Sequence, residues 1–337
     1  MDNIITQPSR FVKPKLETAL QVCCGSEILE QTDERFQKWS AKKRQNMTVS
    51  DKMIDAGFRK RGYLMKECGT FLQYKFCPDC GKSFISSANL CRDRLCPTCA
   101  WRLSLKRFAE MCQVVNSLNE CVLGAVGFLT LTVRNCKPEN LGYTIKKMAE
   151  DWNRMICGRK IKSLVSGWAR SLEITYNEKN NTFHPHFHII VLLDDFIGEG
   201  ETNVFFRKAW NRACRLDYEP ITDFRMIDAK SESTATDNDK IYDAICETFK
   251  YSVKDKELEN MPVQTFREFV QAVSGVRFVS YGGIIKQARK DLNLKETETD
   301  EENEIELSRD KCTCGAELLQ MVCEWSFTES QYKRLSL

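Results

Sequence analysis

No apolar run in the sequence approaches the roughly 20 residues that a membrane-spanning helix needs, so nothing in it reads as embedded in a bilayer. The first twenty residues, MDNIITQPSRFVKPKLETAL, also lack the apolar stretch and small-residue cleavage site of a secretory signal, and the expectation is a cytosolic protein. Neither sign of charge is in excess. Fifty Lys and Arg against 47 Asp and Glu leave a net +3 over 337 residues, so the distribution of charge matters more than its average. Internal repeats are absent, and histidine is scarce, with three residues in all. Hydrophobic residues at 42% nevertheless suffice for a sizeable core, and the length suggests about two domains.

Cysteine, by contrast, is abundant. Seventeen cysteines in a reducing compartment, and an odd number of them, point to metal ligation rather than disulfides. Basic residues cluster early, at Lys38, Lys42, Lys43, Arg44, Arg59, Lys60 and Arg61, and again among the cysteines at Arg92, Arg94, Arg102, Lys106 and Arg107.

Along the chain, residues 1–62 read as a loosely packed helical extension and 63–118 as a cysteine-rich basic module running into the amphipathic stretch WRLSLKRFAEMCQVVNSL. Residues 119–293 then alternate between strands and helices. Strands are expected at GAVGFLTLTV, ARSLEITY, FHIIVLL and DFRMIDA, and helices at ENLGYTIKKMAEDWNRMI, VFFRKAWNRAC and IYDAICETFKYSVKD. The polar NEKNN stretch favours a hairpin between the strands it joins, so an α+β fold with a central antiparallel sheet is expected. SESTATDND (231–239) reads as a mobile loop. The acidic stretch within 294–310 reads as a disordered linker to a C-terminal segment at 311–337.

All three histidines fall within five residues, at alternate positions His184, His186 and His188. In a strand they project from one face, with Phe187, Ile189 and Val191 on the other, which makes a metal platform on an apolar support. Pro185 cannot donate to a ladder, so the strand is expected to begin there or to lie at an edge. If the hairpin turns within NEKNN, Glu173 lies opposite His186 or His188 and becomes the third ligand. Two neutral imidazoles and a carboxylate leave open coordination positions on a divalent ion, suiting Mg²⁺ or Mn²⁺ though not excluding Zn²⁺. The plainer alternative, packing or incidental metal binding, fits one histidine better than three with a register-matched carboxylate.

On a continuous helix around residue 250, with Glu247 set at zero, Tyr251 falls at about 40° and Lys254 at about −20°, away from the apolar stripe of Ile241, Ile245, Phe249 and Val253. Tyr242 falls within that stripe and reads as core. Tyr251 could serve as a phosphoryl-transfer nucleophile, with Lys254 stabilising charge, although a half-exposed tyrosine is as ordinary a reading of the helix alone.

Cys77-x2-Cys80-x15-Cys96-x2-Cys99 has the spacing of a structural Cys₄ zinc site. Exchange with Cys68 or Cys91 stays open, and Cys312, Cys314 and Cys323 are not expected to form a further site for want of a fourth ligand. A redox CxxC is the rival, without the βαβ setting it would need. A zinc knuckle feeding a basic helix suggests contact with DNA phosphates.

FLTLT (128–132), HPHFH (184–188) and Glu247, Tyr251, Lys254 and Asp255 in ETFKYSVKD together resemble, in content and order, the three motifs of rolling-circle replication initiators in the HUH endonuclease superfamily. The resemblance is strongest to initiators of small plasmids from Gram-positive bacteria and extends upstream through KECGTFLQYKF and NLCRDRLCPTCAWRLSLKR, spanning roughly residues 57–290. It implies an HUH-type antiparallel sheet flanked by helices, with an N-terminal zinc-binding module. It also implies that Tyr251 attacks single-stranded or hairpin origin DNA, that Glu247 activates water for terminal cleavage, and that host helicase and polymerase are partners. An HUH transposase or relaxase, and a zinc-dependent DNA-binding regulator without nicking activity, remain as rival readings.

Overall fold

The computed structural model describes residues 27–28, 32–118, 125–194, 198–227, 235–250, 255–294 and 310–335. In chain order the elements are β1 (Glu27–Ile28), α1 (Thr32–Asp55), α2 (Arg59–Glu67), β2 (Phe71–Phe76), β3 (Lys82–Ala88), α3 (Pro97–Ser117), β4 (Ala125–Thr132), α4 (Leu141–Ile156), α5 (Arg159–Lys162), β5 (Val165–Asn177) and β6 (Thr182–Leu193). There follow α6 (Glu199–Cys214), β7 (Thr222–Ile227), α7 (Ala235–Phe249), α8 (Asp255–Asn260), α9 (Val263–Ala272), β8 (Val279–Gly282), α10 (Gly283–Asp291), β9 (Leu319–Ser326) and β10 (Gln331–Leu335).

The fold is α+β and, among the described residues, has two five-stranded sheets ordered β7-β4-β6-β5-β8 and β1-β3-β2-β9-β10, every pairing antiparallel. The larger sheet grows from the hairpin of β5 and β6, closed by residues 178–181 with Asn181 at φ 47°, a conformation asparagine tolerates better than most residues. β6 is its central strand and is buried on both faces from Pro185 onward. Phe187 points to one side, its ring edge-on to Trp152 of α4 and Trp210 of α6, while the histidines point to the other.

Pro185 neither starts β6 nor marks an edge, contrary to expectation. It pairs with Ile174 of β5, and β4 on the other side has ended at Thr132, opposite His186. The Phe183 amide donates toward the β4 side, to the Cys136 carbonyl, so by alternation the missing amide of Pro185 would have pointed the same way, into the gap between the two ladders.

Three other expectations are corrected. The described part of the N-terminal region is not loosely packed: α1 buries Val49 and Met53 in the main core and Trp39 in a second, smaller core with Leu72, Tyr74, Met321 and Cys323. The C-terminal segment, set apart in the sequence as a stretch of its own beyond the linker, joins a sheet formed earlier in the chain, because β9 pairs along the whole of β2. The helix expected to run through Tyr251 ends at Phe249, and the next residue, Lys250, turns its ammonium toward the histidine face. Helix α7 begins at Ala235, inside the stretch read as a mobile loop, whereas residues 231–234 and the acidic stretch 295–309 lie outside the described residues. Among the described residues no helix is long and apolar enough to cross a membrane.

Candidate active site and metal centres

The β5–β6 register pairs Glu173 with His186 and Ser171 with His188, placing the three metal-competent side chains on one face of the central hairpin. Glu173 Oε2 lies 2.9 Å from His188 Nε2 and 3.4 Å from His186 Nε2. The outer ring atoms are tethered: His186 Nδ1 donates to the His184 carbonyl at 3.1 Å, and His188 Nδ1 sits 3.3 Å from Thr130 Oγ1 of β4. A carbonyl can only accept, so Nδ1 of His186 carries a proton, and Nε2, facing Glu173, is the nitrogen on which a cation would take the place of a proton. Phe128 stacks on His188 with ring centroids 5.4 Å apart, excluding water from one side.

Burial shapes the charges. It would push the Glu173 carboxyl up, but hydrogen bonds from His186 and His188 and the nearby Lys250 ammonium outweigh it and hold Glu173 well below the usual carboxylate range. Burial pushes His188 down, only partly offset by its bond to Glu173. The set is therefore two ring nitrogens and one carboxylate oxygen converging on a common point, a donor set that fits a divalent cation. His184 points along the same face but falls outside this group; its Nδ1 bonds Asn135 Oδ1 at 2.8 Å, and burial together with the His186 charge brings it down to about 4.

From α7, Glu247 Oε1 reaches within 3.8 Å of His188 Nε2. Lys250 Nζ lies 3.0 Å from Glu173 Oε2 and also bonds Glu247. Desolvation favours a neutral Lys250, yet the two carboxylates outweigh it and raise its pKa. Sequence reasoning missed Lys250, although a signal existed: on the helical wheel it falls at about −60°, on the Glu247 side, and its i,i+3 spacing favours the pair. Tyr242 packs against the main core as expected, 6.4 Å from the Phe108 ring. Tyr251 and Lys254 lie outside the described residues.

The cysteines regroup. The expected set of Cys77, Cys80, Cys96 and Cys99 is not one cluster but two halves of different clusters: Cys68, Cys91, Cys96 and Cys99 form one, and Cys77, Cys80, Cys312 and Cys314 the other. The reason is the β2–β3 hairpin. Cys77 and Cys80 occupy its tip, while Cys68 precedes β2 and Cys91 follows β3 at its open end. A six-residue strand separates the two ends by about 20 Å. Cys312 and Cys314, expected to stay unengaged, supply the second pair for the tip, and Cys323 is buried in the smaller core.

In the first cluster Cys68, Cys96 and Cys99 are buried and Cys91 is half-buried, with Cys68 Sγ 3.5 Å from Cys99 Sγ and 3.6 Å from Cys96 Sγ, and Cys91 Sγ 3.8 Å from Cys99 Sγ. Four thiolates at about 2.3 Å from one zinc ion stand about 3.8 Å apart, whereas a disulfide brings sulfurs to about 2.05 Å. A second observation supports a metal. Lys43 of α1 is 0% exposed and donates to the Cys68 carbonyl at 2.7 Å and to the Lys66 carbonyl. Burial pushes its pKa down, and Cys68 and Cys96 oppose that. Four neutral thiols offer a buried ammonium no compensating charge, but four thiolates around a dication leave about two negative charges beside it.

Several basic residues that suggested a DNA-facing surface are engaged within the protein. Arg61 pairs with Asp93 at 2.7 Å, Arg94 bonds the Val276 carbonyl at 2.5 Å, and Lys106 lies 3.9 Å from Glu110.

Comparison with known proteins places the chain in a family. Residues 82–333 match the model of a family described as replication protein. The chain is 33% identical to a "Protein rep" of Bacillus amyloliquefaciens over 82% of its own length and 88% of the relative's. It is 29% identical to a "Protein rep" of Lentilactobacillus hilgardii, covering 87% and 94%, and 28% identical to one of Streptococcus pneumoniae, covering 87% and 91%. No solved structure matches the chain. The family match spans the histidine hairpin, α7 and the returning C-terminal strands together, and the chain belongs to the replication protein family.

Proposed function

We propose that this protein initiates plasmid replication by nicking origin DNA through an HUH-type site, with Tyr251 as the nucleophile. The observation that carries the reading is the convergence of Glu173, His186 and His188 on one face of a central antiparallel hairpin, with the Lys250 end of α7 against it. Lys250 is one residue from Tyr251, so the tyrosine is tied by a single peptide bond to a residue that touches Glu173.

Tyr251 Oη loses its proton and attacks the scissile phosphorus; the P–O3′ bond breaks and the leaving 3′-oxygen takes up a proton, so the products are a 5′-phosphotyrosine and a 3′-hydroxyl that a polymerase can extend. Mg²⁺ or Mn²⁺, bound by Glu173, His186 and His188, would supply polarisation of that phosphate. Lys250 offsets part of the negative charge of Glu173 and Glu247 before DNA arrives, and Lys254 stabilises charge on the phenolate or phosphate. Glu247, 46% exposed at its side chain and beside the histidines, serves as general base for the terminal cleavage, followed by strand transfer. Zinc in the buried cysteine cluster is the structural ion. Host helicase and polymerase are the partners this scheme needs, and the cytosol is where it would act.

The test is incubation with origin-bearing single-stranded DNA and Mn²⁺. A covalent protein–DNA adduct is expected from the wild type and not from Tyr251→Phe or in EDTA. A full-strength adduct from Tyr251→Phe would remove Tyr251 from its role. No cleavage of any candidate origin by the wild type would favour a DNA-binding regulator.

A further inference from the structure

We infer that Cys77, Cys80, Cys312 and Cys314 bind a second zinc ion, which clamps the C-terminal strands onto the tip of the β2–β3 hairpin. Their sulfurs all lie within 4.8 Å of one another, with Cys77 Sγ 3.5 Å from Cys314 Sγ and Cys80 Sγ 3.4 Å from Cys312 Sγ. Two isolated disulfides would not require all four to converge, and the spacing is close to the edge of a zinc–thiolate tetrahedron, about 3.8 Å.

The backbone is shaped for ligation on both sides. At the hairpin tip Cys77 donates its amide to the Lys82 carbonyl, Gly81 donates to the Cys77 carbonyl, and Gly81 adopts φ 71°, so the two sulfurs of Cys77-x2-Cys80 turn to the same side. In the C-terminal stretch the Cys312 amide bonds the Ala316 carbonyl and the Gly315 amide bonds the Cys312 carbonyl, with Gly315 at φ 95°. Contacts independent of sulfur hold the two turns face to face: Lys75 pairs with Asp310 at 2.9 Å and Lys82 Nζ bonds Thr313 Oγ1 at 3.2 Å.

The two clusters differ in access. The buried cluster lies in the main core beside Lys43, whereas in the clamp Cys77 is buried, Cys80 and Cys312 are half-buried and Cys314 is exposed. The clamp ion is therefore the one reached first by a chelator or a thiol oxidant, and its loss frees β9 and β10 from one anchor while the buried zinc stays in place.

Full-length protein purified under reducing conditions is expected to carry two zinc ions per chain by elemental mass spectrometry, and the Cys312→Ser/Cys314→Ser double variant one. Because the variant could unfold, alkylation of the wild type is followed as well. Cys77, Cys80, Cys312 and Cys314 should be protected together and become labelled together on limited chelation, before Cys68, Cys91, Cys96 and Cys99. A zinc content of one or less in the wild type, two ions retained by the double variant, or immediate labelling of Cys312 and Cys314 while Cys77 and Cys80 stay protected would each overturn the clamp. So would finding Cys77–Cys314 or Cys80–Cys312 disulfides in the freshly purified protein. None of these readouts depends on DNA cleavage, so they separate the clamp from the nicking activity.

Discussion

Glu173 sits beneath two imidazoles and one ammonium, and the charge of the histidine face turns on it. His188 and His184 both have folded pKa values below the free-histidine value of about 6.5, the latter at about 4. Between those values the unfolded chain binds more protons than the native one, so stability falls as pH drops through that window. Glu173 acts in the same direction lower down: its folded pKa is depressed, so its contribution is present above about 4.3 and is lost as pH falls below that. Without added Mn²⁺, the urea midpoint should therefore decline between about pH 6.5 and 5.5, and decline less steeply in His184→Gln. Identical slopes in the two proteins would mean that His184 does not report the buried face. At this scale the sequence was informative wherever partners were close along the chain. Period-two alternation and a short hairpin were enough to find Glu173. Lys250 was visible as a helical neighbour of Glu247 but not as a partner of Glu173, because that contact depends on where α7 lies against the sheet.

Elements carry the next set of constraints. Gly283 opens α10 at φ 58°, and a Cβ there would stand 1.9 Å from the Ser166 carbonyl oxygen of β5. A left-handed backbone costs an L-residue about 1–2 kcal/mol, and the overlap adds to it because the atom struck is main chain. Gly283→Ala should lower stability by at least about 2 kcal/mol in urea unfolding, through displacement of α10 from the edge of the main sheet. A change within about 0.5 kcal/mol would show that β5 and α10 yield without strain. The strands of the main sheet were readable because they alternate or run apolar. β8 and α10 were not, since a four-residue strand against an edge leaves too few positions to show a period. The reading of α7 failed at its end: the wheel carried the helix on through Tyr251, whereas the described helix stops at Phe249 and Lys250 leaves it to reach Glu173.

At the scale of the molecule, α1 joins the two cores. Trp39 is 3% exposed in the smaller one, edge-on to Trp101 with centroids 5.3 Å apart, and Val49 and Met53 lie in the larger. Lys52 near its far end donates to the carbonyls of Leu258 and Met261 at the end of α8, binding the helix to the main body. Trp39→Ala should cost about 3–5 kcal/mol of unfolding free energy, as large-to-small changes of a buried aromatic do. A loss under about 1 kcal/mol would mean that α1 is not what holds the smaller core. The sequence by itself determined which residues are candidates for the site: the alternating histidines, the opposing Glu173, the paired cysteines and the order of motifs, all set by neighbours a few residues apart. Only the tertiary structure decided which cysteines meet, because a hairpin separates pairs that look contiguous and the clamp joins residues 232 and 237 positions apart. Contacts closed over such a length of chain depend on the packing of everything between them, and local pattern carries no record of that.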